Sequence, residues 1–300
     1  MSFDQLMQHA KDITVKAADL MAKERSGSAG VHRPEEFMPH LALLEAKFEP
    51  FSRLPDPAGY DPLIDHLNRA MEKVNTGSVA HTDLSKDIGL SNPNLDKMTS
   101  DGGYLQGWTG EGAMAFKANF VDTFKTLSGN QFTALSTMKG VLQAHQAMWL
   151  KARDDIDKIA EHTLDALDNA GGCGKNKWSF GFSVLSAVGT ITGAAITIAT
   201  GGATAPIVAI GAAASLGSAG VASTTASGDS VNTIMNSMTQ AIDDLTKHIQ
   251  EVETQQITDR VRALIDVLNG NKVKLVAARP KLAGMNDRDL IGDSGMGSPA

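Results

Sequence analysis

The chain has one cysteine, two tyrosines and three tryptophans in 300 residues, and its aromatic content is only 5%. The lone Cys173 excludes an intrachain disulfide framework and any cysteine-rich zinc site. Basic residues are in deficit as well: 27 Lys+Arg stand against 34 Asp+Glu, a net charge of −7. That balance argues against a nucleic-acid binder, whose footprint is a basic patch. Charge of either sign is missing from residues 178–228, a run of 51 residues between Lys177 and Asp229. An unbroken apolar stretch is missing from the start, because Met1 to Arg25 is charged throughout, so a Sec-type leader is not expected. What remains is a 42% hydrophobic chain, long enough to bury a core.

Its apolar residues fall mostly at helical spacing. Phe3, Leu6, Ala10, Ile13, Ala17 and Leu20 step by three and four, which predicts an amphipathic helix ending near Ser26 to Gly30. A shorter helix follows from about Pro34 to Phe48. Asp61-Pro62 opens a third, with Leu63, Leu67, Ala70 and Val74 on its apolar face. The most regular pattern runs from Gly112 to about Asn169: Leu135, Met138, Leu142, His145, Trp149, Ala152, Ile156, Ile159 and Thr163 step alternately by three and four. Phe116, Phe120, Phe124 and Leu127 continue it upstream with one slip. Such a stripe predicts a long helix packed in coiled-coil fashion. Leu135, Met138, Leu142, Trp149, Ile156 and Ile159 are its expected packing residues. After Asp229 or Ser230 as cap, Val231, Met235, Met238, Ile242, Leu245, Ile249 and Val252 form another stripe, which resumes at Val261, Leu264 and Leu268 and stops at Asn269-Gly270. No segment is read as a strand.

The expected fold is all-α: an elongated helical bundle of coiled-coil-like long helices with a helix-turn-helix and an apolar helical hairpin. Its parts are N-terminal helices in 1–90, a hairpin with the long heptad helix in 91–170, the apolar hairpin in 178–228, a C-terminal long helix in 229–270 and a flexible tail in 271–300.

Catalytic patterns are scarce. The eight histidines form no His-Glu-x-x-His and no cluster with the cysteine. Gly171-Gly172-Cys173-Gly174-Lys175-Asn176 lacks the first glycine of a phosphate loop and has Asn176 in place of the magnesium-binding Ser or Thr, so it reads as a helix terminator. His145, inside an apolar stripe, reads as a core or interface residue. Neither enzymatic activity, nor a cofactor, nor a metal is expected.

Trp108-Thr109-Gly110 stands between a short helix near Leu95 and the long one, with Ala113 and Phe116 just beyond. Gly110 allows a bend and Trp108 wedges the turn. Here the chain resembles the Trp-x-Gly (WxG) family of type VII secretion substrates, helical hairpins with this tripeptide at the turn and a small residue and a Phe after it. Trp149-Leu150-Lys151-Ala152-Arg153-Asp154-Asp155-Ile156 is similar to the later helix of larger actinobacterial members. The resemblance covers roughly Leu95 to Leu167. It implies export in the folded state without a cleaved leader, pairing with a helical WxG-like partner or with itself, and no catalysis. The chain departs from the family in its length. It also lacks the Tyr-x-x-x-Asp/Glu export signal, because Tyr60 and Tyr104 have no acid four residues on.

The charge-free window divides at Gly201-Gly202 into two spans of about 20 residues each, enough as helices to cross a hydrocarbon core of about 30 Å. Gly189, Gly193 and Gly201 in the first, and Ala209, Ala213 and Gly217 in the second, give the small-residue stripes by which helices approach closely in lipid. Lys175, Lys177 and Trp178 sit where interface anchors belong. The window is poor in Leu, however, and its insertion energy is marginal. A permanent anchor, a buried soluble core and a hairpin that inserts conditionally remain open, and marginal apolarity favours the last. The expectation is a secreted or membrane-associated type VII substrate with a possible membrane partner. The alternative is a soluble helical interaction protein whose hairpin is core.

Overall fold

A computed structural model describes residues 3–76, 95, 109–170, 177–181, 196–200, 203–208, 223–227 and 230–276. The fold is all-α, as the periodicities require. Helix α1 spans Phe3–Ala29, α2 Met38–Phe48, α3 Asp61–Val74, α4 Glu111–Phe116, α5 Asp122–Asp168, α6 Val231–Glu251 and α7 Asp259–Gly270. Short 3-10 turns at Pro34–Glu36, Glu49–Arg53 and Pro57–Tyr60 join the first three. The chain divides into two compact units.

Unit 1 comprises Met1–Tyr60, Ala144–Thr190 and Ala214–Ile257. Within it α1 packs on α2, and both pack on α6. Leu6, Ala10, Ile13 and Ala17 of α1 are buried as expected; Leu20 is only half-buried, and Ala18 and Ala22 take its share. Thr14 and Thr163 sit on buried faces without loss, because each hydroxyl donates to the carbonyl four residues back, at 2.9 Å to Ala10 and 2.7 Å to Ile159. The helix stops within the expected Ser26 to Gly30 stretch. It runs to Ala29 and ends where Gly30 takes φ 118°, a left-handed conformation that costs glycine little. In α6 the whole expected stripe from Val231 to Val252 is buried. Its cap is Ser230, whose hydroxyl accepts from the Thr233 N–H at 3.3 Å.

Unit 2 comprises Asp61–Gln143, Ile191–Ala213 and Thr258–Ala300. Met71 of α3 and Phe132 of α5 form a buried cluster there, flanked by Val74 and Leu135. Leu63, read as part of the α3 apolar face, is exposed, because the helix turns Met71 inward instead. Asn130 and Gln131 of α5 donate to the carbonyls of Lys274 and Leu275, at 2.8 and 2.6 Å, and so hold the segment that follows α7.

Both irregularities in the helical patterns have a cause. Lys117–Val121 is π-helical, and it joins α4 to α5 at the slip between Phe116 and Leu127. Its wider turn brings Phe116 and Phe120 to a stacked separation of 5.1 Å and Phe120 and Phe124 to 6.0 Å. Val252–Thr258 is π-helical as well, and lies in the gap between Val252 and Val261. The extra residue moves the buried face onto Ile257, Leu264 and Val267, leaving Val261 exposed and Leu268 only partly buried.

The expected apolar helical hairpin of 178–228 needs correction wherever the window is described. Strand β1 (Lys177–Gly181) pairs antiparallel with β4 (Ser223–Ser227), and β2 (Ile196–Thr200) pairs antiparallel with β3 (Ala203–Val208). The reason lies in residue type. Ile196, Thr197, Ile198, Thr200, Thr204, Ile207 and Val208 are β-branched, stiff at χ1 and better suited to a pleated strand than to a helix. Gly201-Gly202 between them is a dipeptide favoured in two-residue hairpin connections. Pro206 falls opposite Thr197, next to a register irregularity, in keeping with proline's confinement to edges and bulges.

Candidate functional site

The turn before the long helix is described from Thr109 onward; Trp108 lies outside the described residues. Gly110 has φ 99° and ψ 159°, a region that is essentially glycine's alone. Its carbonyl accepts from the Met114 N–H at 3.0 Å and so starts α4. Gly112 and Ala113 are buried and Phe116 is half-buried against Phe120, while Met114 points to solvent.

The packing stripe on α5 is only partly the buried face. Trp149, Ile156 and Ile159 are buried, Leu135 and Leu142 are half-buried, and Met138 is 41% exposed. In the unit 2 half of α5, Ser128, Phe132, Ser136 and Lys139 are buried instead.

The densest side-chain constellation in unit 1 surrounds His145 and Trp149. The Trp149 indole N–H donates to the Tyr60 hydroxyl at 3.1 Å, and that hydroxyl lies 3.3 Å from His145 Nδ1. The Trp149 bond leaves the Tyr60 proton free to point at Nδ1, and we assign the histidine proton to Nε2 on that basis. The rings interlock: Tyr60 meets His145 edge-on at 5.4 Å, and His145 lies 5.5 Å from Trp149. His145 Nε2 is buried without a hydrogen bond, 3.9 Å from Glu253 Oε1 in the π-helical segment. Burial pushes the imidazole below the usual histidine range, and the Glu253 carboxylate opposes that shift.

Two further α5 residues hold the segment that carries Tyr60. Arg153 donates to the carbonyls of Leu54 and Pro55 at 3.0 and 3.2 Å, and Gln146 donates to the Pro57 carbonyl at 2.9 Å. The segment shapes itself as well: Asp56 accepts the Ala58 N–H on its side chain and the Gly59 N–H on its carbonyl. Tyr60, Gln146, Arg153 and Glu253 carry this arrangement, and nothing in the sequence signals that they meet. Their contacts run from 85 residues of chain, Tyr60 to His145, to the still longer separation of His145 and Glu253, which no local pattern announces.

Unit 1 also has a cavity of about 450 Å³ where the end of α1, the Pro34–Glu36 turn and the starts of α2 and α6 meet, with His32, Glu36, Phe37 and His40 among its walls. Its charged groups serve one another. His32 Nδ1 is 3.0 Å from Glu36 Oε2, Glu24 accepts from the Val231 N–H at 3.3 Å, and the Arg25 guanidinium lies 5.6 Å over the Phe37 ring. The Glu36 carboxyl is held below its ordinary value, chiefly by the hydrogen bond from His32. These contacts engage His32, Glu36, Glu24 and Arg25 where the helices meet.

Among the described residues no cluster of His, Cys, Asp or Glu is arranged to hold a metal ion, and no helix is long and apolar enough to cross a membrane. Lys175, Gly189, Gly193, Gly201, Ala209, Ala213 and Gly217 lie outside the described residues. Lys177 and Trp178 fall in β1, paired in backbone with Ser227 and Ala226. No family model matches the chain, and no curated protein or solved structure matches it.

Proposed function

We propose that the chain is a non-enzymatic type VII secretion substrate of the enlarged WxG kind, which leaves the cell folded and offers its long helices to a helical partner. The observation that supports this reading is the backbone at Gly110. It takes a conformation open to glycine almost alone, directly before a continuous helical run from Glu111 to Asp168. A Trp-x-Gly turn that feeds a long helix demands such a glycine. The experiment is a secretion assay in a Gram-positive host with a working type VII system. Wild-type protein is expected in the medium only when the system's motor ATPase is intact, and Gly110→Val or Trp108→Ala should hold it in the cell. Retention of the wild type, or release independent of the motor, removes the reading and leaves the alternative of a soluble helical interaction protein.

A second reading gives the 178–228 window a role at membranes, and its support is the absence of charge over 51 residues. Dye release from liposomes by the purified full chain, lost in a variant with Ile198 and Ile207 both changed to Asp, is the outcome it requires. No release at any pH or lipid charge eliminates it.

A further inference from the structure

His145 stands between two groups that want opposite things of it. On one side the Tyr60 hydroxyl, which accepts from the Trp149 N–H, donates to His145 only while Nδ1 is deprotonated. On the other side, 3.9 Å away, the Glu253 carboxylate faces a buried Nε2 that makes no hydrogen bond. That distance is too long for a hydrogen bond and within reach of an ion pair. We propose that Tyr60, His145 and Glu253 form a proton-operated latch: neutral His145 holds the Tyr60 hydroxyl, and charged His145 turns to Glu253 and gives up that bond, loosening the Leu54–Tyr60 segment on α5.

The atoms determine the direction. Proton uptake at Nδ1 converts the acceptor of the Tyr60 bond into a second donor. The Tyr60 oxygen must then accept from both Trp149 and His145, with its own proton turned away from both. The same event places a full positive charge opposite Glu253, so closing a gap of about one ångström gains a charge-assisted hydrogen bond. The groups facing His145 are Tyr60 from the Pro57–Tyr60 turn, Glu253 from the π-helical segment and Trp149 from its own helix. Among the described residues Glu253 is the one charge acting on it. Once His145 lets go, the Trp149 N–H still meets the Tyr60 oxygen, and Gln146 and the half-exposed Arg153 are the segment's other hydrogen-bonding anchors among the described residues.

Burial lowers the His145 value in the folded chain, so the unfolded chain binds more protons between that value and about 6.5. Stability conferred by the latch is therefore complete above that window, falls as pH drops through it, and levels off once folded His145 is charged.

The test is a pH titration from 4.5 to 8 of the full chain by NMR. It follows the His145 ring and the Trp149 indole N–H, which is assigned with Trp149→Phe. Both signals are expected to share one midpoint below about 6.5. Glu253→Gln should lower that midpoint by removing the charge that favours imidazolium. Tyr60→Phe should raise it by removing the donor that favours the neutral ring. Both variants are nearly isosteric, and a circular dichroism spectrum equal to wild type certifies their fold. An indole signal that ignores the His145 titration, a midpoint at or above 6.5, or two variants that shift it in the same direction would each overturn the latch.

Discussion

The indole N–H of Trp149 donates to the hydroxyl of Tyr60 at 3.1 Å across 89 residues of sequence. Trp149 is 7% exposed, so this bond is made where an unpaired N–H costs its desolvation. Trp149→Phe keeps most of the ring and loses the donor, and should cost about 1–2 kcal/mol in urea unfolding. Trp149→Ala also empties the ring's volume and should cost about 3–5 kcal/mol. If the two cost the same, packing contributes nothing and the ring is not buried as described.

The polar contacts of unit 1 should differ sharply in worth. Arg153 satisfies two carbonyls of an otherwise irregular segment at 3.0 and 3.2 Å. Arg153→Met, which keeps the aliphatic stem, should cost about 1–2 kcal/mol and open the Leu54–Tyr60 segment to limited proteolysis. Lys47 pairs with Asp243 at 2.7 Å, but the two side chains are 40% and 58% exposed. An ion pair in that setting is screened and entropically costly, so Lys47→Met should change stability by less than about 0.5 kcal/mol. A larger loss from Lys47 than from Arg153 would reverse this ranking.

How much of this was legible in the sequence depended on how local the cause was. The α6 stripe from Val231 to Val252 is buried residue for residue, because a three-four spacing on one helix needs no distant information. The slip near Phe120 and the gap after Val252 also showed in the sequence, although only the π-helical turns explain them. Met138 was expected in the packing stripe but is 41% exposed, because the buried face there passes through Ser136 and Lys139 instead. The window failed for a different reason. It was weighed by charge and hydropathy, which are blind to the β-branched runs on either side of Gly201-Gly202 that pair as strands. The Tyr60, His145 and Glu253 cluster was not legible, since it joins three separate stretches of chain.

Gly110 tests the turn independently of any secretion assay. With φ 99° and ψ 159°, any side chain there is strained. Gly110→Ala should cost about 1–3 kcal/mol and fray the start of α4, lowering hydrogen-exchange protection of Met114, whose N–H bonds the Gly110 carbonyl. Gly59 makes a fair control, because it lies in a turn with open space where a Cβ would go and without a positive φ. Gly59→Ala should stay within about 0.5 kcal/mol.

Among the described residues unit 2 has fewer buried side chains than unit 1, which makes its cluster a sharper target. Met71 is 0% and Phe132 2% exposed, and they belong to one cluster with Val74 and Leu135 at its edge. Phe132→Ala should cost about 3–5 kcal/mol and Met71→Ala about 2–5 kcal/mol. The two side chains share one cavity, so the double variant should cost at least about 0.5 kcal/mol less than the sum of the singles. Hydrogen exchange gives the appropriate readout, because it reports α3 and the Asp122–Gln143 part of α5 separately from the rest. Losses confined to those amides, with α1 and α2 still protected, are the expected result. Strict additivity would mean that Met71 and Phe132 do not share a core.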